Sequence, residues 1–146
     1  MSYKVLLADD DLAFLKSMTV RLRAEGFEVV SVQDGYQAVE LARKTWPDVL
    51  VLDINMPAGE GFTVTQRVDH IAHLEGIPII YLTGERSARV DRLAKDGRAF
   101  TLLHKPFDTD ALLAAITDAV EAPRLLRPVR VPSNEELAPV RPRTIA

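Results

Sequence analysis

The chain has 146 residues, of which 47% are hydrophobic, and its formal net charge at pH 7 is −3. This length suits one domain with a buried sheet core, and the lack of cysteine excludes disulfides, thiolate metal sites and a cysteine nucleophile. We expect a soluble, cytoplasmic protein, because acidic residues interrupt the first apolar run and no apolar segment approaches membrane-spanning length.

Charge and proline are unevenly distributed along the chain. Residues 1–121 carry 13 basic and 19 acidic side chains, whereas residues 122–146 carry five arginines, two glutamates and five prolines. Proline is poorly tolerated inside helices and central strands. We therefore expect one domain over 1–121 and a Pro/Arg-rich tail or linker over 122–146. The acidic domain argues against direct nucleic-acid binding.

The first half of the chain alternates between strands and helices. Periodicity and turn residues predict strands at Tyr3–Ala8, Phe27–Val32 and Val49–Leu52, a helix with Leu12, Leu15, Met18 and Leu22 on its inner face, and a helix at about Gly35–Lys44. Asp11 is expected at the start of the first of these helices. Asp34 is expected to cap the second, with Gln37 at the capping-box position.

The second half continues the alternation. We predict helices at about Gly61–His73 and Glu85–Asp96, strands at Ile79–Leu82 and Phe100–Leu103, and a last helix capped by Asp108 with Leu112, Leu113, Ile116 and Val120 facing inward. Five strand–helix units predict an α/β fold, a doubly wound five-stranded parallel sheet with helices on both faces. The flavodoxin-like strand order 2-1-3-4-5 is the natural one for five units.

Polar side chains follow four of the predicted strands. They are Asp9 and Asp10, then Asp53, then Thr83, then Lys105. In a parallel sheet these strand ends meet at one edge. Clustered carboxylates repel one another, and Mg²⁺ bound by carboxylates and water removes that cost. Asp53 is then placed to attack phosphorus as a nucleophile, with Lys105 and Thr83 stabilising the phosphoryl oxygens.

These residues, in this order and at this spacing, resemble the receiver domain of two-component response regulators. The similarity covers about residues 3–121, and its motifs are Val5-Leu6-Leu7-Ala8-Asp9-Asp10, Asp53-Ile54-Asn55-Met56-Pro57, Thr83-Gly84 and Lys105-Pro106-Phe107. The resemblance implies that a sensor histidine kinase or a histidine phosphotransfer protein phosphorylates Asp53. It also implies that Asp9, Asp10, Asp53 and the carbonyl of Asn55 serve Mg²⁺, that Thr83 and Lys105 bind the phosphoryl group, and that the Lys105–Pro106 bond is cis.

One position departs from the family pattern. Family members often carry Tyr or Phe three residues before the lysine, as a switch, and here that residue is Leu102. Phe100 lies two residues back on the same predicted strand face and is a candidate substitute. We expect a stand-alone receiver that signals by binding a downstream protein or by onward phosphotransfer. The acidic last helix and the basic 85–96 segment also permit a homodimer.

Two other interpretations of the chain stay open. Haloacid-dehalogenase-like phosphatases also place a nucleophilic Asp after a strand, but they carry a second Asp two residues later, where this chain has Asn55. The other is a docking module on the same fold that works without phosphorylation. His70 and His73 are spaced for a metal site, although a solvated helix face is the more economical interpretation.

The residues two after Asp53 and two after Thr83 predict a short-lived acyl phosphate. Asn55 and Glu85 occupy these positions, as in the chemotaxis regulator that this chain resembles, and both can orient an attacking water. We expect a lifetime on the order of tens of seconds to minutes, by analogy. Loss of the phosphoryl group followed by intact mass checks this, and an acyl phosphate that persists for hours would contradict it.

Overall fold

The computed structural model describes residues 2–84, 87–88, 90–92 and 100–122. Its centre is a five-stranded parallel sheet in the order β2-β1-β3-β4-β5. The strands are β1 (Lys4–Ala8), β2 (Glu28–Val32), β3 (Val49–Asp53), β4 (Ile79–Thr83) and β5 (Thr101–His104). The predicted α/β class, flavodoxin-like strand order and parallel pairing are confirmed.

Helices connect the strands. They are α1 (Leu12–Ala24), α2 (Gly35–Thr45), α3 (Gly61–Val68), a 3₁₀ turn at Ala72–Leu74, and α4 (Thr109–Glu121). Most of the helix predicted at 85–96 lies outside the described residues, but residues 88 and 90–92 are helical. The tail from 123 onward also lies outside them. Within the described ranges, every helix is too short or too polar to cross a bilayer.

The three central strands are buried on both faces. In β3, Leu50 and Leu52 join the apolar layer that contains residues of α2 and α3, whereas Val49 and Val51 join the layer with residues of α1 and α4. Every residue of β1, β3 and β4 is buried. A strand covered on both sides needs apolar residues at successive positions, which explains the unbroken hydrophobic runs.

The predicted helix starts are confirmed in position. Asp11 accepts a hydrogen bond from the Phe14 N–H (3.1 Å), and Asp34 accepts one from the Gln37 N–H (2.8 Å). Asp108 occupies the N-cap of α4, but its side chain makes no capping hydrogen bond. Leu12 was expected on the inner face of α1 but, as the first residue of the helix, it is 48% exposed.

The third helix is shorter than predicted. It ends at Val68 rather than His73, because the N–H groups of His70 and Ile71 bond to carbonyls three residues back and Ile71 is extended. This break allows Leu74 to reach the core. The expectation of a solvated helix face at His73 is wrong, since its ring stacks on Trp46 with centroids 3.8 Å apart, whereas His70 is exposed.

Burial predicts a large cost for truncating β3. Leu50 is fully buried, so Leu50→Ala should lower the free energy of unfolding by about 2–5 kcal/mol. Val20 on α1 is 71% exposed, and Val20→Ala should change it by less than about 0.5 kcal/mol. Urea denaturation measures both. Equal losses in the two variants would contradict the assigned core.

Candidate functional site

The carboxyl ends of the strands bring four predicted residues to one edge of the sheet. Asp53 ends β3 and Thr83 ends β4, while Asp9 and Lys105 directly follow β1 and β5. The backbone fixes their register: the Lys105 N–H donates to the Thr83 carbonyl (2.7 Å), and the Asp9 N–H donates to the Val32 carbonyl (3.2 Å). The polar groups are therefore held by the sheet itself.

Three carboxylates converge at this edge. Asp9, Asp10 and Asp53 each place an oxygen within 4.8 Å of the others, and Asp9 and Asp53 are buried while Asp10 is exposed. Among the residues that the structure describes, Lys105 is the cation in hydrogen-bond contact with Asp9 and Asp53, so three carboxylates there face one ammonium. An oxygen donor set with excess negative charge fits a hard divalent cation such as Mg²⁺.

Lys105 spans the two buried carboxylates. Its Nζ lies 2.8 Å from Asp9 Oδ2 and 3.4 Å from Asp53 Oδ2. Burial by itself would lower the pKa of Lys105, but the hydrogen bond to Asp9 and the charges of both carboxylates outweigh it and raise that pKa. The lysine is therefore a fixed positive charge beside Asp53.

Asp53 ionises with difficulty in the metal-free protein. Burial, and next the charge of Asp9, raise its pKa from the ordinary 3.8 to about 6, although the Asn55 N–H and Lys105 act in the opposite direction. The Asn55 N–H donates to Asp53 Oδ1 at 3.1 Å. Additional positive charge near this carboxylate would favour the ionised form, which is the nucleophilic one.

The other predicted site residues are placed as follows. Thr83 is fully buried at the end of β4, the strand next to β3. Asn55 is exposed in the loop after β3. Glu85 lies outside the described residues, so its expected role stays a prediction. Asp11 caps α1, as predicted, and is not in the acidic cluster. The Lys105–Pro106 bond is cis, as the resemblance implied.

Comparison with known proteins identifies the family. The family profile "Response regulator receiver domain" matches residues 5–117. This chain belongs to that family. The receiver domain is 35% identical over 118 residues to the transcriptional regulatory protein PdtaR of Mycobacterium tuberculosis and 33% identical over 124 residues to GlrR of Escherichia coli. These alignments cover 80% and 83% of this chain but only 56% and 28% of the relatives.

Solved structures show the same fold. The chemotaxis response regulator CheY4 of Vibrio cholerae superposes with a TM-score of 0.76 at 31% identity, covering 82% of this chain and 99% of CheY4. The receiver domain of the sensor histidine kinase PA1611 from Pseudomonas aeruginosa has a TM-score of 0.76 at 24% identity, covering 84% and 100%. In that structure a magnesium ion is coordinated in the active-site cleft. These comparisons give no support to the haloacid-dehalogenase-like alternative.

Phe14 lies beside Lys105 in the receiver domain, and neither it nor Phe107, which packs against it, was among the predicted site residues. The Phe14 ring centroid lies 5.6 Å from Lys105 Nζ, and Phe14 packs edge-to-face against Phe107 at 6.0 Å. A cation over a ring face is electrostatically favourable. The sequence signal for Phe14 was its position in the first turn of α1, three residues after the Asp11 cap. That end of α1 directly follows the acidic residues of the site.

Leu102 stands where family members often carry Tyr or Phe, and in the structure it lies next to a buried tyrosine of the neighbouring strand. Leu102 is half-buried and pairs in register with Tyr81 of β4. Tyr81 is fully buried, and its hydroxyl lies 2.5 Å from Thr65 Oγ1 of α3. Phe100 precedes β5 and is 40% exposed. The aromatic residue beside Leu102 in the receiver core is therefore Tyr81.

The raised pKa of Asp53 predicts that its charge destabilises the metal-free fold. The folded state binds the Asp53 proton more tightly than the unfolded state does. The stabilisation contributed by this proton is therefore fully present below pH 3.8 and is lost as the pH rises through about 6. Without Mg²⁺, Asp53→Asn should therefore raise the free energy of unfolding by about 1–3 kcal/mol at pH 7.5 and much less at pH 4.

Denaturation in EDTA at both pH values measures this difference. Asp34→Asn is the matched control, because Asn caps helices as well as Asp does and Asp34 caps α2 away from the acidic cluster. An Asp53→Asn variant no more stable than the parent at pH 7.5 would contradict the electrostatic account.

Proposed function

We propose that the protein is a phosphoacceptor in a two-component phosphorelay and that Asp53 is the phosphorylated residue. The observation that carries the proposal is the position of Lys105, whose ammonium lies between the carboxylates of Asp9 and Asp53. A buried acid with a raised pKa, a fixed cation and a strand-end hydroxyl together form a phosphoryl-transfer site. The donor is a sensor histidine kinase or a histidine phosphotransfer protein.

The residues of the cluster divide the work. Asp9, Asp10, Asp53 and the Asn55 carbonyl would hold Mg²⁺, which neutralises charge on the phosphoryl oxygens when bound. Lys105 and Thr83 orient and stabilise those oxygens. A carboxylate oxygen of Asp53 forms the bond to phosphorus while the phosphorus–nitrogen bond of phosphohistidine breaks and the imidazole takes up a proton. With acetyl phosphate, the bond to the acetyl oxygen breaks and acetate leaves.

The output is a protein–protein interaction or onward phosphotransfer. The receiver domain occupies residues 1–121, and residues 122–146 form a tail or linker. It promotes its own phosphorylation and dephosphorylation in the cytoplasm and turns over no other substrate. It contacts no nucleic acid itself, because its surface charge is acidic. Self-association through the acidic last helix is a further output. One acidic residue of that helix, Asp110, already forms an ion pair within the chain, with Arg21 of α1 at 2.9 Å.

Phosphorylation by acetyl phosphate tests the proposed function. With Mg²⁺, the wild-type protein should gain the mass of one phosphoryl group, because the bound cation favours the ionised, nucleophilic form of Asp53. Asp53→Asn and an EDTA-treated sample should not gain it. Asp11→Asn is the matched control, since it removes a neighbouring carboxylate but keeps the α1 cap and the backbone N–H that bonds to Asp9. Intact mass spectrometry measures all four samples.

A wild-type protein that stays unmodified would overturn the proposal, and partner binding unchanged in Asp53→Ala would favour the phosphorylation-independent docking module. A phosphoryl group retained by Asp53→Asn would place the acceptor elsewhere.

A further inference from the structure

We propose that Gly35, at the start of α2, is a positioning residue for the loop that follows Asp53. The missing side chain allows the backbone of residues 57–59 to lie directly against the first turn of α2. That contact sets where Asn55 stands relative to the acidic cluster. The inference rests on the proposed function, since it concerns the same site, but it assigns a role to a residue on a different strand–helix connection.

The contact between α2 and the loop is made by backbone atoms. The Gly35 N–H donates to the Pro57 carbonyl at 3.0 Å. A Cβ built on Gly35 would lie 2.7 Å from the Gly59 carbonyl carbon, 2.8 Å from the Ala58 oxygen and closer still to the Gly59 oxygen. Backbone atoms cannot rotate away as a flexible side chain can, so any side chain at position 35 must displace the loop.

Space, and not backbone conformation, accounts for glycine at this position. The glycines with positive φ are Gly26, Gly59 and Gly76 among the described residues, and Gly35 is not one of them. Gly35 is the first residue of α2, where alanine would be the better helix former by up to about 1 kcal/mol. On helix propensity alone Gly35→Ala would be favourable, so a harmful effect must arise from the loop.

The loop is constrained at its base and at its apex. At its base, the Gly61 N–H donates to the Ile54 carbonyl at 2.9 Å. At its apex, Ala58 has φ 56° and Gly59 has φ 122°. A left-handed conformation costs a non-glycine residue about 1–2 kcal/mol. The contact with Gly35 therefore holds Ala58 in a backbone conformation that is intrinsically unfavourable for alanine.

Asn55 is the functional residue that this loop carries. Its N–H donates to Asp53 Oδ1, and its carbonyl is one of the proposed Mg²⁺ ligands. Only two residues separate Asn55 from the apex residue Ala58. Because the base of the loop is fixed, the residues between base and apex, which include Asn55, must take up any displacement of the apex. Residues that orient a metal ligand typically change metal affinity or activity by about 10- to 100-fold when they are altered.

The test compares Gly35→Ala with Gly26→Ala. Gly26 has φ 94° and no atom within 4 Å of the position that an alanine Cβ would occupy, so alanine there strains the backbone by about 1–2 kcal/mol without a collision. It lies between α1 and β2, at the amino edge of the sheet and away from the site. Mg²⁺ affinity by calorimetry, phosphorylation rate with acetyl phosphate, and unfolding free energy are measured for both.

We expect Gly35→Ala to weaken Mg²⁺ binding and slow phosphorylation by about 10- to 100-fold, and Gly26→Ala to leave both within about twofold of wild type despite its lower stability. Wild-type Mg²⁺ affinity and phosphorylation rate in Gly35→Ala would overturn the inference. Equal losses in Gly26→Ala would also overturn it, because they would trace the effect to stability.

A second variant keeps the test decisive if Gly35→Ala does not fold. Gly59→Ala perturbs the same contact from the loop side, because φ 122° strains an alanine while its Cβ meets Gly35 Cα at an ordinary 3.6 Å. It should show the same loss of Mg²⁺ affinity, and parent affinity would overturn the inference. A wild-type protein that neither binds Mg²⁺ nor accepts a phosphoryl group would instead count against the proposed function.

Discussion

The site depends on one electrostatic arrangement: the Lys105 ammonium lies between the buried carboxylates of Asp9 and Asp53. Burying two acids without a cation would be strongly unfavourable, and one lysine only partly offsets their repulsion. Burial, and next the charge of Asp9, leave the pKa of Asp53 raised to about 6 despite the lysine. Added positive charge beside the two carboxylates would offset this cost, which is the physical reason for expecting Mg²⁺ there.

The sheet creates this arrangement. Parallel strands end at a common edge, so residues far apart in the sequence are delivered to one place without long loops. The unbroken apolar runs of β1, β3 and β4 fix the strand register by burial on both faces. A change that shifted β3 by one residue would turn the Asp53 side chain to the other side of the sheet.

Most of the fold could be predicted from the sequence because its signals are local. Apolar runs ended by polar residues mark the strands, and Asp11 and Asp34 mark helix starts. The end of α3 at Val68 could not be predicted in this way. The chain leaves the helix there so that Leu74 reaches the core and His73 stacks on Trp46, and both are tertiary contacts.

The candidate site likewise contains residues that local sequence signals predict and residues that only tertiary contacts reveal. Asp9, Asp53, Thr83 and Lys105 were predictable because each directly follows an apolar strand or ends it. Phe14 beside Lys105 and the close contact of Gly35 with residues 57–59 were not, because each depends on which two connections face one another in space. Periodicity reports which face of an element is buried but not what touches it.

A Mg²⁺ titration by calorimetry tests the central claim most directly. The account predicts that the wild-type protein binds a single Mg²⁺ and that Asp9→Asn weakens this binding by more than about tenfold, the loss typical of a residue that only supports a ligand. Asp11→Asn should bind as the wild type does, because Asp11 caps α1. Equal Mg²⁺ affinity in wild type and Asp9→Asn, or no binding by wild type, would contradict the shared-cation site.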